Sequence, residues 1–167
     1  ILDTVKDKRP CNFLVYGLGY DSSMWSITNR GGYTLFVEDS QEWISEIKEY
    51  NDKLETLHRE YSTRVEEWSE YTEEKDFRNI KVPSELESIE WDVILVDAPQ
   101  GYEAGKPGRM VSIHESSIIC SSGTDVFVHD IDRIAEDNLS NRYFKDNPYI
   151  SAEHIKDVGK LRHLHVF

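Results

Sequence analysis

The sequence predicts an α/β domain with a mainly parallel sheet, and three observations predict it. Apolar runs of strand length recur along the chain, as they do in strands covered on both faces. Segments with helical spacing alternate with them. The runs also stop on glycine or ionisable residues, at Gly17-Leu18-Gly19, Glu38-Asp39, Asp97 and His129-Asp130. Ligands of such sheets bind beyond the C-terminal strand ends, where the strand order reverses. These four ends are therefore expected on one functional rim.

The first strand is Cys11–Tyr16, closed by the glycine turn. A helix is expected over Ser22–Thr28, followed by a turn at Gly31-Gly32. Tyr33–Val37 is the second strand. Ser40 then caps a helix whose apolar positions Trp43, Ile44 and Ile47 fall on one face. A strand is expected within Leu54–Val65, and Glu66–Lys75 reads as an acidic, solvated helix or loop. Trp91–Val96 is the most apolar strand, leading into a loop punctuated by Gly101, Gly105, Pro107 and Gly108. Met110–Cys120 reads as a helix, Thr124–Val128 as a strand and Ile134–Phe144 as a helix. Two closing strands are expected near Ile150–Asp157 and Leu161–Phe167.

At 167 residues the chain suits one domain spanning 1–167. It opens on Ile1, as a domain cut from a longer protein with other domains would. Its net charge is −13, which excludes nucleic acid and anionic lipid as partners, because both need a basic face. The acidity is concentrated: residues 38–90 hold 17 Asp+Glu against 7 Lys+Arg. Cys11 and Cys120 make neither a disulfide framework nor a zinc spacing, and both are expected as buried small hydrophobes. No apolar run approaches the roughly 20 residues of a membrane span.

A glycine turn after the first strand lets the backbone approach a nucleotide-like ligand, and an acid closing the second strand can hold both ribose hydroxyls. That pair serves NAD and S-adenosylmethionine alike. Here the pattern is G-x-G-x-D, with Asp21 where a pyrophosphate turn needs glycine. An acid there repels pyrophosphate and favours the phosphate-free S-adenosylmethionine.

The string CNFLVYGLGYDSSMW at Cys11–Trp25 resembles the plant glucuronoxylan 4-O-methyltransferase family of polysaccharide biosynthesis. The resemblance recurs in GGYTLFVED (Gly31–Asp39), WDVILVDAPQGY (Trp91–Tyr102), PGRM (Pro107–Met110) and VFVHDIDR (Val126–Arg133). It implies a class I methyltransferase fold, with a seven-stranded sheet whose last strand is antiparallel. It also implies methyl transfer from S-adenosylmethionine to a sugar hydroxyl, by default the 4-hydroxyl of glucuronic acid on xylan. By position Gly17, Leu18 and Gly19 would line the cofactor, with Asp21 and Ser22 near its methionine end. Glu38 would hold the ribose, and Asp39 and Ser62 are candidates for the adenine. Plant members carry an N-terminal anchor, which implies the Golgi lumen; without one the compartment would be the cytoplasm. They also commonly have Asn where this chain has Asp132.

A sugar hydroxyl is a poor nucleophile, so a base should remove its proton as the methyl arrives. Asp97, His129, Asp130 and Asp132 are the candidates, with Asp97 facing the methyl end of the cofactor. Asp97 and Asp130 could instead hold Mg²⁺ or Mn²⁺. Arg109 and Arg133 are candidate partners for an acidic sugar, and Tyr102 could stack on a sugar ring. Three rivals accompany this reading. One is a methyltransferase for a neutral terminal sugar of a glycoprotein glycan, one a nicotinamide-dependent oxidoreductase, and one a non-catalytic binding module of glycan assembly.

Overall fold

Seven strands of the described residues form one sheet in the order β3-β2-β1-β4-β5-β7-β6. They are β1 (Asn12–Tyr16), β2 (Tyr33–Glu38), β3 (Glu55–His58), β4 (Val93–Val96), β5 (Asp125–Val128), β6 (Ala152–Val158) and β7 (Leu161–Val166). The protein is represented by a computed structural model that describes residues 1–71, 77, 80–148 and 150–167, with the backbone alone at 154 and 155. β1 to β5 pair in parallel, and β7 runs antiparallel to both β5 and β6. The antiparallel last strand is the one the resemblance implies.

Side chains alternate between two apolar layers, as strand geometry requires. Leu14, Tyr16, Ile94, Val96, Val126 and Val128 face one layer, completed by Leu86, Met110, Ile113 and Phe144. Phe13, Val15, Phe36, Val93, Leu95 and Phe127 face the other, completed by Val5, Ile44 and Ile47. The helices on the two sides are α1 (Leu2–Lys8), α2 (Ser22–Thr28) and α3 (Gln41–Tyr50), then α4 (Ser84–Glu87), α5 (Met110–Ile119) and α6 (Ile134–Ser140), with Phe144 supplied by the turn after α6. Ser40 caps α3 as expected, its hydroxyl accepting from Trp43 N–H at 3.1 Å.

Several elements differ from expectation. α1 and α4 are short, each burying a single residue, Val5 or Leu86, too little to leave a pattern. The strand expected within Leu54–Val65 is only Glu55–His58, at the sheet edge. Of the acidic stretch Glu66–Lys75, residues 72–75 lie outside the described residues, and Val65–Glu70 is a 3₁₀ turn. The helix expected over Ile134–Phe144 is α-helical to Ser140 and then widens into a π turn, Asn141–Lys145, in which Asp146 N–H donates to Asn141 C=O at 2.9 Å. Cys11 is buried as expected, but Cys120 is only partly buried.

Candidate active site

The strand order reverses between β1 and β4, whose neighbours lead away on opposite sides. Register makes this a shared ledge. Tyr16 pairs with both Val37 and Val96, and Val96 pairs with Val128. The next residues, Glu38, Gly17, Asp97 and His129, consequently lie in one row across the sheet. The ladder continues through that row: Gly17 N–H donates to Val37 C=O (2.8 Å), Asp97 N–H to Tyr16 C=O (3.0 Å) and His129 N–H to Val96 C=O (3.0 Å).

On the β1–β2 side the row is a cradle. Gly17 adopts φ 120°, and a Cβ there would lie 3.2 Å from Ala98 Cβ; only glycine fits without strain. Glu38 is buried with both oxygens oriented by backbone donors, Leu18 N–H at 3.2 Å and Ser40 N–H at 3.0 Å. Burial pushes its carboxyl up, against the lowering effect of those donors. Ser22 accepts from Gly19 N–H (2.9 Å), and Asp21 accepts from Trp25 Nε1–H (3.2 Å). Trp43 Nε1–H fixes the turn by donating to Leu18 C=O at 2.7 Å. Gly17, Leu18, Gly19, Asp21, Ser22, Trp25 and Asp97 line a hollow of about 90 Å³. Ser62 lines a separate cleft of about 440 Å³ with Arg59, Tyr61 and Lys81. Asp39 presents its carbonyl to His58 Nε2 at 3.2 Å.

On the β4–β5 side the row is a charge cluster built around Arg109, the residue before α5. Arg109 is 6% exposed. Its Nη2 donates to Asp97 Oδ1 (2.9 Å) and to Asp97 C=O (2.7 Å), and its Nη1 donates to Asp130 Oδ2 (2.6 Å) and His129 C=O (3.1 Å). Arg109 thus ties the ends of β4 and β5 together and presents no free fork to an acceptor. His129 Nδ1 stands 3.0 Å from Asp97 Oδ1 and 3.2 Å from Asp130 Oδ1, close but not aligned for hydrogen bonding.

The two aspartates differ. Asp130 has φ 59°, a conformation that non-glycine residues hold only where the surroundings enforce it. Its carboxylate is 10% exposed. Burial alone would raise its pKa, but Arg109, His129 and Arg133 (2.9 Å) outweigh it and hold it below the usual range. The Asp97 carboxylate is 46% exposed. Partial desolvation pushes its pKa up, against the pull of Arg109 and His129. Asp97 is thus reachable and more basic than an ordinary carboxylate.

Asp132 is not brought into the cluster: it pairs with Lys160 at 2.9 Å, on the turn between β6 and β7. Tyr102 is exposed, its hydroxyl donating to Gln100 Oε1 at 3.2 Å. It lines a groove of about 360 Å³ beside the cluster, together with Arg133, Trp68 and Glu136. Glu136 and the linking function of Arg109 escape sequence reading, because each depends on burial. The indole tether of Trp43 left a partial signal, a tryptophan in the first turn of α3.

Ligand atoms of Asp97, His129 and Asp130 lie within 4.8 Å of one another, a spacing a cation could span. The Arg109 guanidinium already occupies one side of that cluster, so the positive charge two carboxylates require is supplied by the chain itself. The cradle, by contrast, suits S-adenosylmethionine: a bare glycine backbone, a fixed buried carboxylate, and no basic side chain lining the hollow.

Among solved structures the chain is similar to a TehB-like SAM-dependent methyltransferase from Corynebacterium glutamicum, with TM-score 0.60 and 10% identity over 99% of this chain and 86% of that one. It is also similar to precorrin-6y C5,15-methyltransferase from Geobacter metallireducens, with TM-score 0.56 and 10% identity over 98% and 81%. The fold is that of the class I S-adenosylmethionine-dependent methyltransferases. Among curated proteins it is 38% identical to Glucuronoxylan 4-O-methyltransferase 3 of Arabidopsis thaliana, over 93% of this chain and 58% of that protein. It is 33% identical to Arabinogalactan O-methyltransferase 2 of the same plant, over 99% and 64%. The chain therefore spans about three fifths of the length of the curated relatives it matches. The IRX15/IRX15L/GXM family model matches residues 1–81 and 73–164, so from end to end of its sheet the chain belongs to the IRX15/IRX15L/GXM family.

Proposed function

We propose that this chain, as a single methyltransferase domain over residues 1–167, transfers a methyl group from S-adenosylmethionine to a sugar hydroxyl of a glycan. The observation that carries the reading is Asp97: a reachable carboxylate of raised basicity, next in the row to the glycine cradle, in a chain whose relatives are named as glycan O-methyltransferases.

When bound, S-adenosylmethionine supplies an electrophilic methyl on a sulfonium. Gly17, Leu18 and Gly19 cradle it, Asp21 and Ser22 flank its methionine end, and Glu38 accepts from the ribose hydroxyls. Asp39 and Ser62 are the adenine-side candidates. Asp97 accepts the acceptor's hydroxyl proton as the new C–O bond forms, and a carboxylate with a raised pKa suits that task. Arg109, with Asp130 behind it, holds Asp97 in place, and His129 offers a second polar contact. Arg133, on the groove wall, is the more exposed of the two arginines and, although paired with Asp130 through one Nη, the one an acidic sugar would meet. Among the described residues no helix is long and apolar enough to cross a membrane.

The test is a screen of methyl transfer from labelled cofactor onto a panel containing glucuronoxylan, arabinogalactan and neutral oligosaccharides. Asp97→Asn should cost about 10²–10⁴-fold in turnover while calorimetric cofactor binding persists. Undiminished turnover in that variant would remove the base role, and binding of NAD but not S-adenosylmethionine would point to an oxidoreductase. Cofactor binding with transfer to no glycan would leave a binding module. The spacing of Asp97, His129 and Asp130 favours one second reading, a divalent cation in place of simple base catalysis. Under base catalysis a chelator leaves transfer intact; loss of transfer restored by Mg²⁺ or Mn²⁺ would assign the trio to a cation.

A further inference from the structure

The groove beside the charge cluster contains a side chain with nothing to do. Glu136, in the first turn of α6, is 1% exposed, and among the described residues neither of its carboxyl oxygens has a hydrogen-bond partner from another residue. The nearest cation, Arg133 Nη1, is 3.9 Å from Oε1, beyond hydrogen-bonding range. Arg133 is itself engaged by Asp130 at 2.9 Å, and both Nη atoms of Arg109 serve Asp97 and Asp130, while its buried Nε reaches no partner among the described residues. A buried polar group left unpaired is costly, and such groups in folded proteins call for an explanation.

The surroundings supply one. The groove holds about 360 Å³ and is walled by Trp68 and Tyr102, aromatic faces of the kind that suit a sugar ring. What stands over the carboxyl is bare backbone: a Cβ at Gly101 would come 3.2 Å from Glu136 Oε1 and 3.1 Å from Gly108 Cα. That loop is tied down by Gly105 N–H donating to Glu66 Oε2 (2.9 Å) and Val65 N–H donating to Lys106 C=O (2.8 Å). The carboxyl thus lies at the floor of the groove, under a stretch of backbone that carries no side chain at Gly101.

We propose that Glu136 is an acceptor-recognition residue, its carboxyl pairing with a sugar hydroxyl that enters the groove next to the one being methylated. The proposal rests on the glycan methyltransferase reading and deepens it. Glu66 and Glu103 also line the groove, so the position selects a hydroxyl and rejects a carboxylate. A uronic acid could be accommodated only with its carboxylate turned toward the mouth and Arg133.

Glu136→Leu removes the unpaired carboxyl at similar volume. It should leave the thermal midpoint equal or higher while raising the acceptor KM about tenfold, the loss of one buried hydrogen bond; cofactor affinity and kcat should change little. Glu136→Gln, which keeps an acceptor oxygen, should recover part of the affinity. A panel of singly deoxygenated acceptors should contain one that costs the wild type as much as the Leu substitution and costs the Leu variant nothing more. Wild-type transfer with an unchanged acceptor KM in both variants would overturn the assignment. Absence of wild-type transfer to any glycan would instead count against the parent reading.

Discussion

Arg109→Met tests the cluster at its centre. The substitution keeps the aliphatic stem and removes a guanidinium that makes two contacts to each side of the β4–β5 junction. The two ion pairs it breaks are not equal. Asp130 is buried beside an equally buried Arg109 at 2.6 Å, and removing one member of such a pair costs about 3–5 kcal/mol. Asp97 is half open to water, where a pair at 2.9 Å is worth at most about 1 kcal/mol. Arg133 remains at 2.9 Å from Asp130 and takes up part of the lost charge, which puts the expected destabilisation near the lower figure, about 3 kcal/mol. Urea unfolding of Arg109→Met, Asp130→Asn, Asp97→Asn and the two double variants measures this. The Arg109–Asp130 coupling should exceed the Arg109–Asp97 coupling by about 2 kcal/mol. A loss below about 1 kcal/mol, or two equal couplings, would refute the view that burial decides which pair matters.

Other expectations follow from the same geometry. Gly17→Ala forces a side chain onto φ 120° and against Ala98; it should cost about 1–3 kcal/mol of stability and weaken S-adenosylmethionine binding, and a calorimetric titration matching wild type would contradict this. Asp132→Ala breaks only an exposed pair with Lys160, so turnover should stay within about twofold on the scale of surface pairs; a larger fall would return Asp132 to the site. Burial holds the His114 imidazole down to about 4 from 6.5. Between those values the unfolded chain binds more protons than the folded one, so stability should fall as pH drops from 6.5 to 4. His114→Phe should flatten that part of the profile, and an unchanged slope in denaturant midpoints would refute it.

How much of this was legible in the sequence depended on whether a signal was local. β4 is apolar throughout, and β1 and β5 are apolar after their first residues, Asn12 and Asp125; all three are covered on both faces, and their ends show because glycine and acids interrupt the runs. β3 has no fully buried residue, so its pattern carries little weight. Arg109 looked available to a substrate because the two acids that capture it, twelve residues before and twenty-one after, meet it only in the folded sheet. Asp130 and Asp132 look equivalent in sequence, yet the left-handed backbone at Asp130 separates them, and the Asp132 side chain pairs with Lys160 of the β6–β7 turn. Glu136 is an acid in a helix's first turn, an ordinary place for one; only its burial makes it exceptional.

The row across the sheet divides the labour between two stretches of chain. Gly17 and Glu38 come from the first quarter of the sequence, whereas Asp97, Arg109, His129 and Asp130 come from its second half; the groove around Glu136 draws on both, with Glu66 and Trp68 from the first half and Tyr102, Arg133 and Glu136 from the second. The two halves meet through the β1–β4 pairing and through both apolar layers, where Leu14, Tyr16 and Val37 pack with Met110, Ile113 and Val126, and Phe13 and Phe36 with Leu95 and Phe127. Under the proposed function, substitutions confined to the groove around Glu136 alter the choice of acceptor and leave the backbone cradle at Gly17 and Glu38 untouched. Exchanging Trp68, Tyr102, Arg133 and Glu136 together for a relative's residues is the direct way to move acceptor preference under that reading.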